Sequence, residues 1–303
     1  MIEYRPIVTP LVRYLGPSSA RQEIWLKDES RQITGAFKAR GNFHRLSKEI
    51  GPTHVVTAST GNHGLGLAAA AKALGHRATV FLPIDTPAAK RNRLAEFHAE
   101  IFMVNADYDG CAIVAREHAA RLGAKYIPSF DDDGIIEGHR ELCREVDATG
   151  LEFDTVFAPV GGGGLVTACV RHWRSGRRVV GVELDQMPAM HQSLELGERV
   201  ILPATTGPAE GLRVRSVGEI PFSTCMGAGI PIALVSIGQL QNAVRALWRF
   251  QGIRAEESGA ASLAAALAGG GGHRCLCIVS GGNIDAERFE SIVNINDAEG
   301  AFI

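Results

Sequence analysis

Thr34-Gly35-Ala36-Phe37-Lys38-Ala39-Arg40-Gly41 sets a lysine between two glycines, with an aromatic beside it. Glycine costs roughly 1 kcal/mol against alanine inside a helix, so the two glycines need a reason. Close approach of the backbone to something flat and bulky supplies one. Lys38, partly desolvated there, then works as an amine nucleophile. Burial lowers a lysine's pKa, and the neutral amine is the form that condenses with an aldehyde. The octamer alone also reads as a surface helix carrying a snorkelling lysine.

Working outward, four further stretches bear on that choice: Ala58-Ser59-Thr60-Gly61-Asn62-His63-Gly64, Pro159-Val160-Gly161-Gly162-Gly163-Gly164-Leu165, Glu256-Glu257-Ser258-Gly259-Ala260-Ala261 and Ser280-Gly281-Gly282-Asn283-Ile284-Asp285. Pro159 to Leu165 is a strand running into glycines and then a helix, which aims backbone N–H groups and a helix N-terminus at one point, an anion site. A Cβ would hold the backbone away from a phosphate, and nests use φ > 0. The run lacks both the G-x-G-x-x-G spacing and the Walker lysine-hydroxyl ending, so by itself it also fits a dinucleotide loop or a flexible turn. Ser59 to His63 closes a strand and opens the alanine-rich helix from Leu65 to Ala73. Helix capping selects the same residue types, and the same hydroxyls and N–H groups can grip an amino-acid carboxylate. Ser280 again ends a strand.

Between these motifs, apolar runs of strand length alternate with helical stretches. Strands are expected at Glu23 to Asp28, His54 to Ser59, Arg77 to Pro83, Glu100 to Asn105, Lys125 to Pro128, Thr155 to Val160, Arg178 to Leu184, Pro231 to Val235 and Cys275 to Ser280. Helices are expected from Lys38 to Ile50, where Gly51-Pro52 stops the chain, and at Asn62 to Leu74, Pro87 to Ala99, Gly110 to Leu122, Leu165 to Arg174, Gln239 to Gln251 and Gly259 to Leu267. Short Val/Ile/Leu runs separated by helices argue for parallel βαβ units covered on both faces.

The 303 residues are 46% hydrophobic, enough for a large core and for two domains, and 35 glycines suit many tight βα turns. A formal charge of -2 provides no general basic field, so neither nucleic acid nor an anionic membrane is expected as a partner. Apolar runs fall far short of a bilayer span and residues 1 to 20 carry no signal-peptide core, so a soluble cytoplasmic protein is expected. Six scattered cysteines without C-x-x-C spacing read as free thiols.

Taken together and in this order, the five stretches resemble the fold-type II pyridoxal-phosphate enzymes of the tryptophan-synthase-β type, most of all the serine/threonine dehydratase and serine racemase branch. The resemblance extends from Thr9-Pro10-Leu11 to Asp285. It implies an α/β fold of two open parallel-sheet αβα domains with pyridoxal 5'-phosphate in the cleft between them, the smaller domain (46–137) being inserted into a larger one (1–45 and 138–303). It implies that Lys38 carries the cofactor as a Schiff base, beside Phe37, and removes the substrate's Cα proton once freed. The backbone of Gly161, Gly162, Gly163 and Gly164 would hold the phosphate, Asn62 the phenolic oxygen, and the Ser280 hydroxyl the ring nitrogen. Ser59, Thr60, Gly61 and His63 would line the carboxylate pocket of a small amino-acid substrate. A neutral hydroxyl at the ring nitrogen makes the ring a weaker electron sink than a carboxylate would, which favours elimination over transamination.

The implied reaction is α,β-elimination from a serine- or threonine-like β-hydroxy amino acid to a 2-oxo acid and ammonia, in a homodimer. Alternatives are racemisation, β-replacement or threonine-synthase-like chemistry, and a catalytically silent binding protein; the intact lysine, phosphate loop and Ser280 argue against the last. Thr60 stands where the racemases carry their acid serine, and its methyl restricts χ1, so elimination is expected to exceed racemisation. The sequence ends shortly after Ser280, so no appended regulatory module is expected.

The chain also departs from that pattern. Glu137-Gly138-His139-Arg140-Glu141 stands where dehydratases read close to Gly-Gln-Gly-Thr. Either Arg140 or His139 meets a second acidic group of the substrate, or the segment is a differently packed helix start. Lys27-Asp28-Glu29 reads more like the threonine synthases, which act on phosphorylated homoserine. Asp131-Asp132-Asp133 reads as a solvated loop, since three adjacent acids do not converge on one ion. Glu183 matches a divalent-metal ligand of some relatives, but Ala189 occupies the place of its acidic partner, so no metal is expected.

Overall fold

The computed structural model describes residues 4–19, 22–59, 61–173 and 175–294. Two strands open it, β1 (Leu11–Arg13) and β2 (Glu23–Asp28), followed by helix α1 (Lys38–Leu46). An alternating run comes next: β3 (His54–Ala58), α2 (Asn62–Leu74), β4 (Arg77–Pro83), α3 (Ala88–Glu96), β5 (Glu100–Val104), α4 (Tyr108–Leu122) and β6 (Lys125–Tyr126). Two short helices, α5 (Asp133–His139) and α6 (Glu141–Asp147), lead into β7 (Thr155–Pro159), α7 (Gly164–His172), β8 (Arg178–Leu184), α8 (Ala189–Leu196), α9 (Glu219–Ala228) and β9 (Ile232–Val235). The last described elements are α10 (Ile237–Gln251), α11 (Ala261–Leu267), β10 (Arg274–Val279) and α12 (Ala286–Val293).

The strands form two sheets. One has the order β5-β4-β3-β6, all parallel and all lying between His54 and Tyr126. The other has the order β1-β2-β10-β7-β8-β9 and takes strands from both sides of that stretch; only β1 runs antiparallel. Strands β7, β8 and β10 are buried almost throughout, because helices cover both faces and leave no side for polar residues. All six cysteines are free and buried. No described helix is long and apolar enough to cross a membrane.

Several expected bounds differ. Helix α1 stops at Leu46, short of Ile50, because the Leu46 carbonyl is taken by the His76 Nε2–H (3.2 Å) and Glu49 in the following turn is clamped by Arg45 and Lys125. Helices α5, α6, α8, α9 and α12 and strand β1 were not anticipated. The acidic triplet is not a free solvated loop. Asp132 caps α5 by accepting from the Ile135 N–H (2.9 Å), Asp133 pairs with Arg171 (2.7 Å), and Asp131 accepts from the first N–H groups of α9, Glu219 and Ile220, both at 3.0 Å. These carboxylates lie where helix N-termini favour negative charge.

Lys27 and Glu29 also have a structural explanation. They belong to a buried ion cluster with Arg40 of α1 and Glu145 of α6. Arg40 forks onto Glu29 (2.7 and 2.9 Å) and onto Glu145 (2.6 and 2.8 Å), Lys27 bonds Glu145 (2.5 Å) and the Thr9 carbonyl (2.7 Å), and Thr9 Oγ1 bonds Glu29 (2.5 Å). Two cations thus balance two carboxylates, and the cluster ties the N-terminal segment, β2, α1 and α6 together. Burial pushes the Glu145 carboxyl up, but the bonds from Arg40 and Lys27 outweigh it and hold it below the usual range. Its contribution to stability is therefore present above the unfolded value of ~4.3 and lost as pH falls through the lower folded one. Replacing Arg40 by Met leaves two carboxylates buried together and is expected to cost about 3–5 kcal/mol, the usual penalty for breaking a buried pair. Urea unfolding measures it, and a loss under about 1 kcal/mol would contradict the assignment.

Candidate active site

The functional stretches follow the C-terminal ends of parallel strands, where ligands of open α/β sheets sit. Thr34 to Lys38 comes after β2, Ser280 to Asn283 after β10, the glycine run after β7, and Ser59 to Asn62 after β3 of the other sheet. The first two are stitched together. Ala36 bridges Gly281, the Phe37 N–H donates to the Ser280 carbonyl (3.0 Å), and the Gly282 N–H to the Gly35 carbonyl (2.9 Å). Gly35 adopts φ +74°, and a Cβ there would lie 2.3 Å from Asn283 Oδ1. At Gly41 a Cβ would lie 2.4 Å from the His139 ring. The flat group that this second glycine accommodates is therefore part of the protein.

Lys38 is the first residue of α1, with its side chain in the cleft. Its Nζ donates to the Ser129 carbonyl (2.5 Å) and lies 5.2 Å from the centre of the Phe37 ring. No described carboxylate pairs with it. Burial without a counter-ion lowers its pKa from 10.5 to about 8. Phe37 packs on the His139 ring, their centres 4.6 Å apart.

The glycine run enters α7 through Gly163 at φ +94°. A Cβ on Gly162 would fall about 2.0 Å from the Phe130 ring, and one on Gly161 2.2 Å from the Gly211 carbonyl. The loop is thus pressed flat by its protein neighbours, while the first N–H groups of α7 have no carbonyl within the helix to bond. Ser280 is buried, and its hydroxyl makes no hydrogen bond to a described residue. It does not cap the turn at Gly281-Gly282.

Asn62 opens α2. Its Nδ2 donates to Glu256 Oε1 (2.7 Å) and its Oδ1 accepts from Asn283 Nδ2 (2.6 Å). Glu256 had no role in the sequence reading; burial raises its carboxyl to about 7. Ser59 acts as a cap, its Oγ accepting from the N–H groups of Gly61 (3.3 Å) and Gly64 (3.0 Å). Thr60 lies outside the described residues. His63, expected against the substrate carboxylate, is instead buried with both nitrogens engaged. Its Nε2–H donates to the Ile127 carbonyl and its Nδ1 accepts from Asn42, both at 3.2 Å. Burial first, and the nearby Lys38 charge second, lower its pKa to about 3, so it stays neutral. It orders Asn42, which in turn holds the Lys38 carbonyl (2.8 Å).

The atypical segment is neither a free charged loop nor a helix start but the junction where α5 ends and α6 begins, with Arg140 between them. Arg140 pairs with Glu137 (2.7 Å), and His139 has no exposed surface, so neither is presented to a second acidic group. Glu183 accepts from the Met190 and His191 N–H groups, both at 2.8 Å, at the start of α8.

A buried amine of lowered pKa, an uncommitted hydroxyl, a helix N-terminus and an ordered amide line one cleft. An aldehyde, a ring nitrogen, a phosphate and a phenolic oxygen on one small aromatic cofactor match them in kind. Lys38, Ser280, Gly161 to Gly164 with α7, and Asn62 would hold those four groups.

Comparison with known proteins agrees. The L-threonine ammonia-lyase of Geobacter sulfurreducens is 31% identical over 89% of this chain and 69% of its own length. Among solved structures, the processed form of threonine deaminase isoform 2 from Solanum lycopersicum superimposes with a TM-score of 0.92 at 28% identity, over 98% of this chain and 85% of that one. Maize serine racemase gives 0.86 at 25% identity, over 94% and 91%. Residues 2–281 match the family described as pyridoxal-phosphate dependent enzyme, and with that match over most of its length the chain belongs to this family and takes pyridoxal phosphate as its cofactor.

Proposed function

We propose that this enzyme removes water from a β-hydroxy amino acid of the threonine or serine kind, by α,β-elimination, and that hydrolysis of the resulting enamine takes up a water again to give a 2-oxo acid and ammonia. The observation that carries the reading is the Lys38 amine, its pKa lowered by burial with no described carboxylate beside it, next to Phe37, whose N–H bonds the Ser280 carbonyl. The threonine ammonia-lyase and threonine deaminase named above support the substrate class. Bound pyridoxal phosphate supplies an aldehyde for covalent capture of the amino group and a conjugated ring that delocalises negative charge from Cα. The protein supplies the rest. The neutral Lys38 amine accepts the Cα proton. The N–H groups at the start of α7 would hold the phosphate end, and the Ser280 hydroxyl would meet the ring nitrogen without fixing a charge on it. The Ser59 to Asn62 loop grips the substrate carboxylate. A cytoplasmic homodimer completes the proposal; it rests on the family resemblance, and sedimentation at twice the chain mass tests the dimer.

Incubation with L-threonine, L-serine and a panel of other β-hydroxy amino acids is expected to release ammonia and oxo acid in equal amounts. Enantiomer exchange outrunning ammonia release on chiral chromatography would overturn elimination as the main reaction. Lys38→Ala is expected to lower ammonia release by at least the ~10²–10⁴-fold that a positioned base contributes, and near-normal turnover would end the mechanism.

The lowered Lys38 pKa makes a second test. Below about 8 the ammonium dominates and the amine cannot accept a proton; above it the neutral form prevails. NMR titration of the protein dimethylated with ¹³C at its lysines is expected to show one resonance, absent from Lys38→Ala, with a midpoint near 8, well below the ~10.4 of exposed lysines. A midpoint above about 10 for that resonance would contradict burial without a counter-ion.

A further inference from the structure

The cleft amides form a chain whose polarity is set at one end. Arg93 of α3 donates from Nη2 to Asn283 Oδ1 (2.9 Å), Asn283 Nδ2 donates to the Thr34 carbonyl (2.8 Å) and to Asn62 Oδ1 (2.6 Å), and Asn62 Nδ2 donates to Glu256 (2.7 Å). Flipping an amide exchanges its acceptor for its donor at nearly the same two positions, so its direction depends on partners that can act in only one way. Arg93 can only donate, and the Thr34 carbonyl can only accept. Together they allow Asn283 one orientation. Asn62 must then offer its oxygen to Asn283 and its NH₂ to the other side, where one N–H serves Glu256 and the second bonds no described residue.

We propose that Arg93 is a positioning residue: through Asn283 it orients Asn62 so that this amide presents an N–H, and not its oxygen, to the phenolic oxygen of the cofactor. This rests on the reading that Asn62 faces that oxygen. Glu256 at the far end of the chain cannot do the same. Burial, helped by the Glu210 and Glu257 carboxylates, outweighs the Asn62 hydrogen bond and the Lys90 ammonium and raises its carboxyl to about 7, so near neutrality it can donate as readily as accept. The Arg93 guanidinium offers only donors, and it keeps the chain's direction whatever Glu256 does. Lys90, on the same helix, pairs with Glu210 (2.7 Å) and takes no part in the chain.

The test uses the intact protein reconstituted with pyridoxal phosphate and reads two quantities besides activity: the cofactor's dissociation constant and the pH dependence of its absorption spectrum. Arg93→Met is expected to weaken cofactor binding about 10-fold, the scale of one hydrogen bond to a charged group, and to make the spectrum change between pH 6 and 8 as Glu256 gains or loses its proton. Arg93→Lys, still donor-only, is expected to restore most of both. Lys90→Met, which removes the same charge from the same helix, is expected to leave the dissociation constant within about 2-fold, well below that hydrogen bond's worth. Equal effects of Arg93→Met and Lys90→Met would overturn the proposal in favour of a simple field effect. Arg93→Met behaving like the wild type while Asn62→Ala shifts the spectrum would remove Arg93 and leave the role of Asn62 intact. An unshifted spectrum in Asn62→Ala would remove both.

Discussion

An amine that must give up its proton readily has to be placed where no carboxylate can reach it, and helix α1 meets that demand two residues away from the opposite one. The Lys38 amine bonds the Ser129 carbonyl, lies over the Phe37 ring and pairs with no described carboxylate, and its pKa falls. Arg40 is gripped by Glu29 and Glu145 on both edges of its guanidinium. The acids of this region are engaged by Arg40 and Lys27, so a helix carrying both kinds of cation can give each a different protonation behaviour. Burying the cluster brings little net stability, since desolvation offsets attraction. What it does is fix α1 against β2 and α6, and with it the direction in which Lys38 enters the cleft.

The rest of the site follows from where strands end. In parallel sheets every strand delivers its following loop to the same edge, so the segments after β2, β7 and β10 arrive together, and the smaller sheet adds the loop after β3. Backbone bonds then lock neighbouring loops: Phe37 to Ser280, and Gly35 to Gly282. The amine and the hydroxyl that would address opposite ends of one ring system are thereby set by a shared stretch of backbone, which is stiffer than any pair of side chains.

Around this frame the polar groups divide by whether their direction is free. Ser59 is committed to the turn at α2, and His63 to Asn42 and Ile127. Asn62 is the group whose two faces differ, and its direction comes through Asn283 from Arg93 together with the Thr34 carbonyl. Glu256, a carboxyl able to change protonation near neutral pH, sits where it can polarise that amide without deciding it.

Much of this was legible in the residues. Val/Ile/Leu runs of strand length, separated by helical stretches, specified parallel βαβ units, because a strand buried on both faces tolerates only such side chains. Strands β2, β4 and β8 and helix α2 carry the expected bounds. Glycines beside a lysine, and a glycine run between strand and helix, marked places where the backbone has close neighbours. Helices α5, α8 and α9 escaped because short segments carrying Gly, Pro or Ser have weak periodicity, and α6 because seven residues make too few turns to show one. Their ends are held by distant partners: Asp131 caps α9 from the far side of the chain, and Glu183 caps α8. The sequence by itself determined the sheet-and-helix alternation and the residue types that could serve a pyridoxal-type cofactor. Only the tertiary structure decided that Gly41 makes room for His139, that His63 is a core histidine, that Lys27 and Glu29 belong to an ion cluster, and that Arg93 reaches Asn283. Local patterns encode how a segment folds, whereas pairing across 100 residues or more depends on where the sheets bring those segments, as in Arg93 to Asn283.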